Sequence, residues 1–371
     1  MIILAVETSC DDTGIAILEI REKLSSPFKI LSNVVSSQVK LHKKYGGVYP
    51  SLAKREHQKN LPLVLEKALK EAKNPKLDLL AVTIGPGLEP CLWTGINFAI
   101  DLAKKMNLPL VPVNHVEAHI LVNFINGPWM KTHDRRFLSR EIFPAVCLVV
   151  SGGHTQLILM KSIGNYKILG ETRDDAAGEC FDKTARILGL EYPGGPAIAE
   201  QARQWKSKFL ISNFQTNSKS QITKIKLPRP MIYTKDYDFS FSGLKTAVLY
   251  EFKKRSPKIR GSKKYIREMC FEVQQAVIDV LIKKTMKAAK NYKAKSIIIG
   301  GGVAANKELR KQFAEKIRKE IPYSKFYIPD SEYCTDNGPM AAIAAYYRRK
   351  GKTKNWKKIR ANANLKIGEY S

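Results

Sequence analysis

The chain of 371 residues lacks several features that would place it in common protein classes. No apolar run approaches the ~20 residues needed to cross a bilayer, so no membrane span is predicted. The N-terminus, MIILAVETSCDDTG, passes directly into a strand-like pattern without the basic and apolar regions of a signal peptide, which favours a cytoplasmic protein. The six cysteines include no Cys-x-x-Cys pair, which argues against a disulfide framework and a structural zinc site.

Acidic residues are also scarce. The chain has 34 Asp and Glu against 63 Lys and Arg, a formal net charge of +29. This excess favours a polyanionic partner, because clustered Lys and Arg gain affinity when they release counterions from phosphates. It is concentrated in residues 253–267 and 348–360. Charge alone does not separate RNA from DNA or an anionic membrane, and a generally basic proteome is the alternative explanation.

Two segments share one pattern and predict a duplicated fold. IILAVETSCDDTGIAILEI and FPAVCLVVSGGHTQLILMK each read as two apolar strands around a polar tip. LDLLAVTIGPGL and SIIIGGGVAAN are each followed by a helical pattern, which is the strand, loop and helix unit of a parallel sheet. Hairpins that each open an α/β lobe and point a polar loop at a shared cleft are typical of the actin-like ATPase (ASKHA) fold.

The length allows two core-bearing lobes, since single hydrophobic cores stop growing at roughly 250–300 residues. We therefore expect a two-lobed α/β protein with a central cleft. The N-terminal lobe is predicted over residues 1–140, with a C-terminal helix over 338–371 that packs back on it, and the C-terminal lobe over 141–337. The polar stretch 213–230 is predicted to be a loop.

The motif NHVEAH carries the most specific chemical signal. His115 and His119 are one helical turn apart, so both imidazoles project from one helix face and can converge on one cation. Asp336 in CTDNG, in a loop before a helix, is the best candidate for a third ligand. Two imidazoles and a carboxylate fit iron, zinc or manganese. Glu117 faces nearly opposite His115 at about 100° per residue, which disfavours the metallopeptidase pattern His-Glu-x-x-His.

Glycine-rich turns predict phosphate contacts, because backbone N–H groups bind anions where no side chain blocks approach. The strongest such turns are residues 150–153 and 300–306. The segment GPGL does not complete the dinucleotide pattern Gly-x-Gly-x-x-Gly, which disfavours a Rossmann oxidoreductase. Asp11, Asp182 and Asn306 are candidates to position a ribose, a phosphate-bound metal or an acyl group, and each is equally compatible with a cap or turn role.

Ordered motifs over almost the whole chain strongly resemble the bacterial TsaD family: ETSCDDTG, YGGVYPSLAKREH, GPGL, NHVEAH, VVSGGHTQL, DDAAGECFDKTAR, YPGGP, FSFSGLKTA, GGGVAAN and CTDNG. The resemblance implies an actin-like fold and a tRNA N6-adenosine threonylcarbamoyltransferase. Such an enzyme moves the threonylcarbamoyl group of threonylcarbamoyl-AMP onto adenosine 37 of tRNAs that read codons beginning with A. The alternatives are a metal-dependent O-sialoglycoprotein endopeptidase and an ATP-dependent kinase or chaperone of the same fold.

The resemblance also implies site residues, a cofactor and partners. The metal ligands fall on His115, His119 and Asp336, for one divalent transition metal per chain, with Fe²⁺ expected and Zn²⁺ as the alternative. The adenylate-binding positions fall on Val149, Val150, Ser151, Gly152, Gly153, Asp182, Gly195 and Asn306. Asp11 is a candidate catalytic proton acceptor or water-positioning group. Relatives act on tRNA together with TsaB-like and TsaE-like proteins. The chain departs from the family at EPCLW after GPGL and at Asp12, where glutamate is more usual.

Overall fold

The structure is a computed structural model, and it describes residues 1–21, 27–125, 141–216 and 224–369, of which 208–216 are described by their backbone alone. The strands of the described chain are β1 (Ile2–Glu7), β2 (Asp12–Ile20), β3 (Phe28–Ser37), β4 (Leu79–Gly85), β5 (Leu110–Asn114), β6 (Ala145–Val150), β7 (Thr155–Ser162), β8 (Asn165–Glu171), β9 (Ser296–Gly300) and β10 (Lys325–Tyr327).

The longer helices are α1 (Pro50–Glu71), α2 (Glu89–Met106), α3 (His115–Leu121), α4 (Ala177–Ile187), α5 (Gly194–Thr216), α6 (Ser242–Lys254), α7 (Lys263–Asn291), α8 (Lys307–Glu320) and α9 (Gly338–Arg348). Two single-turn α-helices cover Val39–His42 and Pro257–Arg260. Residues 213–216, predicted as the start of a loop, belong instead to the end of α5. Of the remainder of that predicted loop, residues 217–223 lie outside the described residues, and 224–230 are irregular.

Two five-stranded sheets repeat one topology. Their strand orders are β3-β2-β1-β4-β5 and β8-β7-β6-β9-β10. In each sheet the first three strands of the chain are antiparallel neighbours, with the first of them (β1 or β6) in the centre of the sheet. Two later strands extend the sheet on the opposite side of that central strand and run parallel to it. The duplication predicted from the two hairpins is therefore confirmed. In both halves the polar tip follows the first strand, which is central in its sheet.

The central strands are apolar throughout because both of their faces are covered. Strands β4 (LLAVTIG) and β6 (AVCLVV) are buried at every position, as expected for parallel strands between two layers of helices. Alternation sorts their side chains to opposite faces. In β1, for example, Ile3 and Ala5 face the middle of the molecule, whereas Leu4 and Val6 face helices α1 and α2.

Helices α3 and α9 occupy the space between the two sheets. Their buried residues share one hydrophobic cluster with Ile3 and Ala5 of the first sheet and with Cys147 and Val149 of the second. Helix α9 fits there because its sequence, GPMAAIAAYYR, presents mainly small side chains, and residues 340–345 are fully buried. The outer face of the second sheet is covered by α4, α7 and α8. The arrangement places α3, which carries the predicted metal ligands, at the centre of the molecule.

The C-terminal segment is not one helix over residues 338–371. Helix α9 ends at Arg348, and up to residue 369, where the described chain ends, only short 3₁₀ turns follow at Arg349–Gly351 and Trp356–Lys358. Thr353 instead pairs with Leu110 in an isolated β-bridge, which draws the segment along the edge of β5. Helix α9 does contact strands β1, β2 and β5 of the first sheet. The lobe boundaries at 140 and 337 stay a prediction. None of the described helices has the length and hydropathy that a membrane crossing requires.

Candidate metal centre and nucleotide cleft

Two histidines of helix α3 form the middle of the site. The helix starts directly after β5, and Oδ1 of Asn114 caps it by accepting the backbone N–H of Glu117 at 3.0 Å. The spacing of one turn brings the rings of His115 and His119 to 4.6 Å between centroids. Their side chains are 5% and 0% exposed. Both imidazoles are therefore withdrawn from bulk water.

Asp336 reaches this pair from the loop before α9. Its Oδ1 lies 3.6 Å from Nε2 of His115 and 3.2 Å from Nε2 of His119. The loop comes this close because Gly338 packs directly on strand β2, where a Cβ atom on Gly338 would lie 2.4 Å from the backbone nitrogen of Ala16. The structure thus brings together the three residues that the sequence predicted as metal ligands.

The spacing of the three side chains is compatible with a metal site. Within the described part of the chain, neither ring nitrogen of His119 has a hydrogen-bond partner, although Asp336 lies 3.2 Å away. One ligand atom from each of His115, His119 and Asp336 lies within 4.8 Å of the others. A metal ion bound at about 2.0–2.2 Å holds its ligand atoms about 3–3.5 Å apart. The distances between the three ligand atoms need to shorten only slightly to reach this range, so the residues fit one divalent ion.

A second carboxylate supports His115 from behind. Glu7 ends strand β1 and is fully buried, with Oε2 lying 3.5 Å from Nδ1 of His115. Oε2 accepts the Thr83 hydroxyl at 2.5 Å, and Oε1 accepts the backbone N–H of Ser9 at 2.7 Å. The hydroxyl of Ser9 also lies 3.1 Å from Nδ1 of His115. Such partners fix the ring orientation and the tautomer of a histidine ligand.

The charges at the centre are strongly coupled. Burial opposes a charge on His115, but the carboxylates of Asp336 and Glu7 outweigh it and raise the pKa of His115 to about 9. Burial also opposes a charge on Asp336, yet the neighbouring histidines hold the pKa of its carboxyl well below the usual range. The pKa of Glu7 is likewise lowered, because attraction to His115 outweighs burial. Two buried carboxylates therefore create a field that favours a cation here.

Glu117 points away from the metal centre, as its helical position predicted. Its fully buried carboxylate accepts Nε of Arg348 at 3.1 Å on both oxygens, and the Tyr166 hydroxyl at 2.7 Å on Oε1. Arg348 ends α9 and Tyr166 lies in β8, so one carboxylate joins the ligand-bearing helix to two other elements. Glu117 is thereby committed to a structural ion pair and is not placed to activate a water molecule as in a peptidase.

The turn over residues 151–154 presents free backbone amides. The N–H of Ser151 donates to the carbonyl of His154 at 2.8 Å, and the N–H of His154 donates to Oγ of Ser151 at 3.2 Å, which closes the turn. The N–H groups of Gly152 and Gly153 have no acceptor among the described residues, and a Cβ on either would meet nothing within 4 Å. Such a turn binds anions. Val149 and Val150 are buried strand residues, so their place in the adenylate site stays a prediction.

The second glycine turn abuts the metal-site helix. A Cβ on Gly300 would lie 2.2 Å from the carbonyl oxygen of His119, so only glycine allows this approach. Asn306, at the other end of the turn, caps α8 through Oδ1, and its Nδ2 donates to Oε1 of Gln274 at 2.8 Å. The structure therefore gives Asn306 a capping role, and its adenylate contact stays a prediction.

Asp182 and Gly195 lie together, although they are on different helices. Oδ1 of Asp182 accepts the N–H of Gly194 at 2.7 Å, and the backbone of Gly195 also donates to the carboxylate. Burial raises the pKa of Asp182 against these hydrogen bonds. A Cβ on Gly195 would meet nothing within 4 Å. The space beside Gly195 is therefore open, and the adenylate contacts of Asp182 and Gly195 stay predictions.

Asp11 and Asp12 lie at the tip of the first hairpin. Burial, followed by the charge of Asp336, raises the pKa of Asp11. Burial raises the pKa of Asp12 to about 7, and its Oδ1 is buried without a hydrogen-bond partner among the described residues. His57 holds the tip from behind by donating Nε2–H to the carbonyl of Cys10 at 2.9 Å. The catalytic role of Asp11 stays a prediction.

Two contributors were not selected from the sequence. Glu7 reads as the last residue of a strand, and only its position before the polar tip ETS hints at a buried acid. His154 stands in GGHT, and its ring centroid lies 6.0 Å from that of His115. Burial, followed by repulsion from His115, lowers the pKa of His154 to about 3, so it is a neutral neighbour of the centre.

Comparison with known proteins decides the family. The family model described as "TsaD: tRNA N6-adenosine threonylcarbamoyltransferase" matches residues 29–343. The tRNA N6-adenosine threonylcarbamoyltransferase of Thermosipho africanus is 44% identical over 99% of this chain and 100% of its own. That of Dictyoglomus turgidum is 43% identical over 100% of both chains. The chain belongs to the TsaD family.

Membership in the TsaD family makes the chain an acyltransferase that forms N6-threonylcarbamoyladenosine in tRNA. This assignment favours the transferase over the endopeptidase and the kinase. The solved structure of full-length HypF in the phosphate- and nucleotide-bound form superposes with a TM-score of 0.54 at 12% identity, over 94% of this chain and 46% of that one. At this identity the likeness concerns the fold alone, and it agrees with the actin-like ATPase fold predicted from the two hairpins.

Proposed function

We propose that this TsaD chain transfers threonylcarbamoyl from threonylcarbamoyl-AMP to N6 of adenosine 37, in tRNAs that read codons beginning with A. In this proposal His115, His119 and Asp336 bind one divalent transition metal beside the acyl group. The observation that carries it is the convergence of two buried imidazoles and a carboxylate within 4.8 Å of one another. The open glycine turn is near them, since the ring centroid of His154 in that turn lies 6.0 Å from that of His115.

The donor set favours Fe²⁺, with Zn²⁺ as the alternative. Two histidines and one carboxylate with further positions open are the usual ligands of non-haem Fe²⁺, and zinc accepts the same ligand types. A divalent ion at this point would supply Lewis-acid polarisation of the acyl carbonyl and a fixed point for the substrate. Glu7 would hold the ring of His115 in the ligand orientation through Nδ1.

The other residues would bind and align the reactants. The amides of Gly152 and Gly153 would hold the phosphate of the adenylate, and Asp182 with the Gly195 turn would hold its ribose. The mixed anhydride is already activated. Attack by N6 forms the N–C bond, the bond from carbon to the phosphate oxygen breaks, AMP leaves, and Asp11 accepts the N6 proton. The contribution of the protein is then mainly alignment of the amine with the carbonyl.

The partners follow from the same proposal. The chain would work with a TsaB-like protein and a TsaE-like ATPase, and it would act in the cytoplasm, where its tRNA substrates are charged and used. The formal charge of +29 suits a tRNA substrate.

The test is a transfer assay with measurement of bound metal. The full chain, its TsaB-like and TsaE-like partners, labelled threonylcarbamoyl-AMP and tRNA are combined after removal of metal and reloading with Fe²⁺ or Zn²⁺. We expect label on adenosine 37 and higher activity with Fe²⁺. His119→Ala should lose both the bound metal and the label. Absence of label with the parent protein would overturn the proposal.

A matched control separates the ligand role from general loss of charge. Glu332 lies exposed in the same loop, four residues before Asp336. Asp336→Asn should release the metal and abolish transfer, whereas Glu332→Gln should retain both. Equal metal content in the two variants would show that Asp336 is not a ligand.

A further inference from the structure

An exposed basic segment of the second half of the chain takes no part in the centre described above. It joins α6 to α7 and covers residues 253–267, of which eight are Lys or Arg and none is Asp or Glu. We call it the basic hairpin. It folds as the end of α6, the single turn Pro257–Arg260 and the start of α7. Its five lysines are all exposed: Lys253, Lys254, Lys258, Lys263 and Lys264.

The lysine charges of the basic hairpin are not offset by any carboxylate in the described part of the chain. Its five lysines form no salt bridge or hydrogen bond with any described residue. The two nearest carboxylates along the chain are both engaged, since Glu251 pairs with Arg255 and Glu268 accepts the backbone N–H of Lys224 at 2.6 Å. The hairpin therefore presents a concentrated positive charge to a partner.

The other basic segment, residues 348–360, is used differently. Arg348 binds the buried Glu117, Arg349 lies 4.1 Å from the ring centroid of Tyr346, and Lys354 donates to Oδ1 of Asn107 at 2.8 Å. Several of its cations thus hold the segment against the protein. Each segment holds eight Lys or Arg, and in each one Arg is paired with a Glu in the described part of the chain. The two segments therefore carry equal charge, and what distinguishes the basic hairpin is the residue that lies beside its lysines.

An exposed aromatic residue lies next to the lysines. Tyr250 is 67% exposed, and it precedes Lys253 and Lys254 by three and four residues on α6, so the three side chains share one face of the helix. A ring placed among cations suits RNA, because bases stack on exposed aromatic side chains while Lys binds the neighbouring phosphates. Lysines alone would serve an anionic membrane equally well.

Helix α6 connects the basic hairpin to the cleft. At its start, the N–H groups of Phe241 and Ser242 donate to Oδ1 of Asp174 at 2.8 and 3.2 Å, just before α4. Near the start of α4, the N–H of Gly178 donates to the carbonyl of Ser151 in the glycine turn at 3.1 Å. The 13 residues of α6 span about 20 Å. The basic hairpin is therefore about 20 Å from the wall of the cleft, within reach of the stem of an RNA hairpin whose loop enters the cleft.

We propose that the basic hairpin binds the phosphate backbone of the anticodon stem of the tRNA substrate, with Tyr250 stacked on a nucleotide next to it. This inference rests on the proposed function, because it takes the modified adenosine to lie in the cleft. The contacts are to phosphates, so they supply affinity and orientation rather than recognition of sequence.

The test compares five-residue variants of the full chain. The hairpin variant carries Lys253→Gln, Lys254→Gln, Lys258→Gln, Lys263→Gln and Lys264→Gln. The matched control removes five exposed charges from the other basic segment: Lys350→Gln, Lys352→Gln, Lys357→Gln, Lys358→Gln and Arg360→Gln. A third variant replaces the five hairpin lysines by Arg and keeps their charge. Thermal unfolding of each variant checks that the fold is intact.

The readouts are the Kd for tRNA between 50 and 200 mM salt and the rate of transfer. Each phosphate contact contributes about 0.7–0.9 to the slope of log affinity against log salt. We expect the hairpin variant to reduce this slope by about 3 to 4 and to raise KM for tRNA at least tenfold, with kcat little changed. The control and the Arg variant should keep the parent slope, and Tyr250→Ala should weaken binding about fivefold or more.

Several outcomes would overturn the proposal. Equal losses in the hairpin variant and in the control would show a general charge effect. An unchanged slope in the hairpin variant would show that the segment does not contact tRNA. Binding of the parent to vesicles of anionic lipid that is lost in the hairpin variant, with tRNA binding unchanged, would assign the surface to a membrane. If the parent itself neither binds nor modifies tRNA, the proposed function fails first, which keeps the two failures distinguishable.

Discussion

The ion pair between Glu117 and Arg348 gives the sharpest test of how the metal-site helix is held. Glu117 stands between His115 and His119 in the sequence, and its side chain is fully buried, whereas that of Arg348 is 23% exposed. The perturbation is Arg348→Met, which keeps an apolar stem of similar length but removes the guanidinium group. Glu117 then retains the hydroxyl of Tyr166 at 2.7 Å but loses a bidentate cation.

The expected size follows from the burial of the carboxylate. Removing one partner of a fully buried ion pair costs about 3–5 kcal/mol, because a buried charge is left without its counter-charge. The Arg348 side chain is partly exposed, so water can approach the vacated position and lower this cost. We therefore expect a loss of about 2–3 kcal/mol in the free energy of unfolding. The tilt of α3 that follows should also weaken metal binding, since the two histidines move with the helix.

Urea unfolding of the metal-free protein measures the first effect, and a competition titration with a metal chelator measures the second. The double variant Arg348→Met with Glu117→Gln should recover at least about 1 kcal/mol relative to the sum of the single changes, because neither charge then stays buried alone. Lys350→Met, an exposed change beside the helix end, is the control and should stay within about 0.5 kcal/mol. A loss below about 0.5 kcal/mol for Arg348→Met, or strict additivity in the double variant, would refute the reasoning.

Three further predictions concern the cleft. Burial lowers the pKa of His57, so on acidification the unfolded chain takes up a proton more readily than the folded protein. The contribution of His57 to the free energy of unfolding should be complete above pH 6.5 and fall at lower pH, by at most about 1.4 kcal/mol per pH unit. Urea titrations at pH 5 and 7 should show a smaller fall in His57→Gln than in the parent. Burial raises the pKa of Asp12 to about 7, so ionisation of its carboxyl destabilises the fold as pH rises from about 4 through 7. Asp12→Asn should raise the urea midpoint of unfolding at pH 8 but not at pH 4. An equal gain at both pH values would contradict this. Gly300→Ala should lose bound metal in a chelator titration, because its Cβ would lie 2.2 Å from the carbonyl oxygen of His119, whereas Gly302→Ala, with nothing within 4 Å, should keep it.

Much of the fold was predictable because its signals are local. The apolar runs around the tips ETSCDDTG and VSGGHT fixed two hairpins, and their likeness pointed to the duplication that the two sheet topologies confirm. The i and i+4 spacing of His115 and His119 was sufficient to place both rings on one helix face, since helix geometry relates residues one turn apart. The spacing of Glu117 likewise predicted that it faces away.

Other features depend on contacts between distant parts of the chain, which no local pattern specifies. The prediction of a continuous C-terminal helix was wrong, because the chain leaves the helix after Arg348 and Thr353 pairs with Leu110 in a β-bridge. Asn306 was equally compatible with a cap and a ligand-binding role, and only its hydrogen bonds to α8 and Gln274 assigned the cap.

By itself, the sequence determined the two hairpins, the pair of histidines on one helix face and the excess of positive charge, because each depends on residues close together in the chain or on composition. Only the tertiary structure decided what surrounds that pair. It placed Glu7 behind His115, brought Asp336 within 3.2 Å of His119 and turned Glu117 toward Arg348. These charges come from three separate segments, and their coupling exists only where packing buries them together, since water would otherwise screen them.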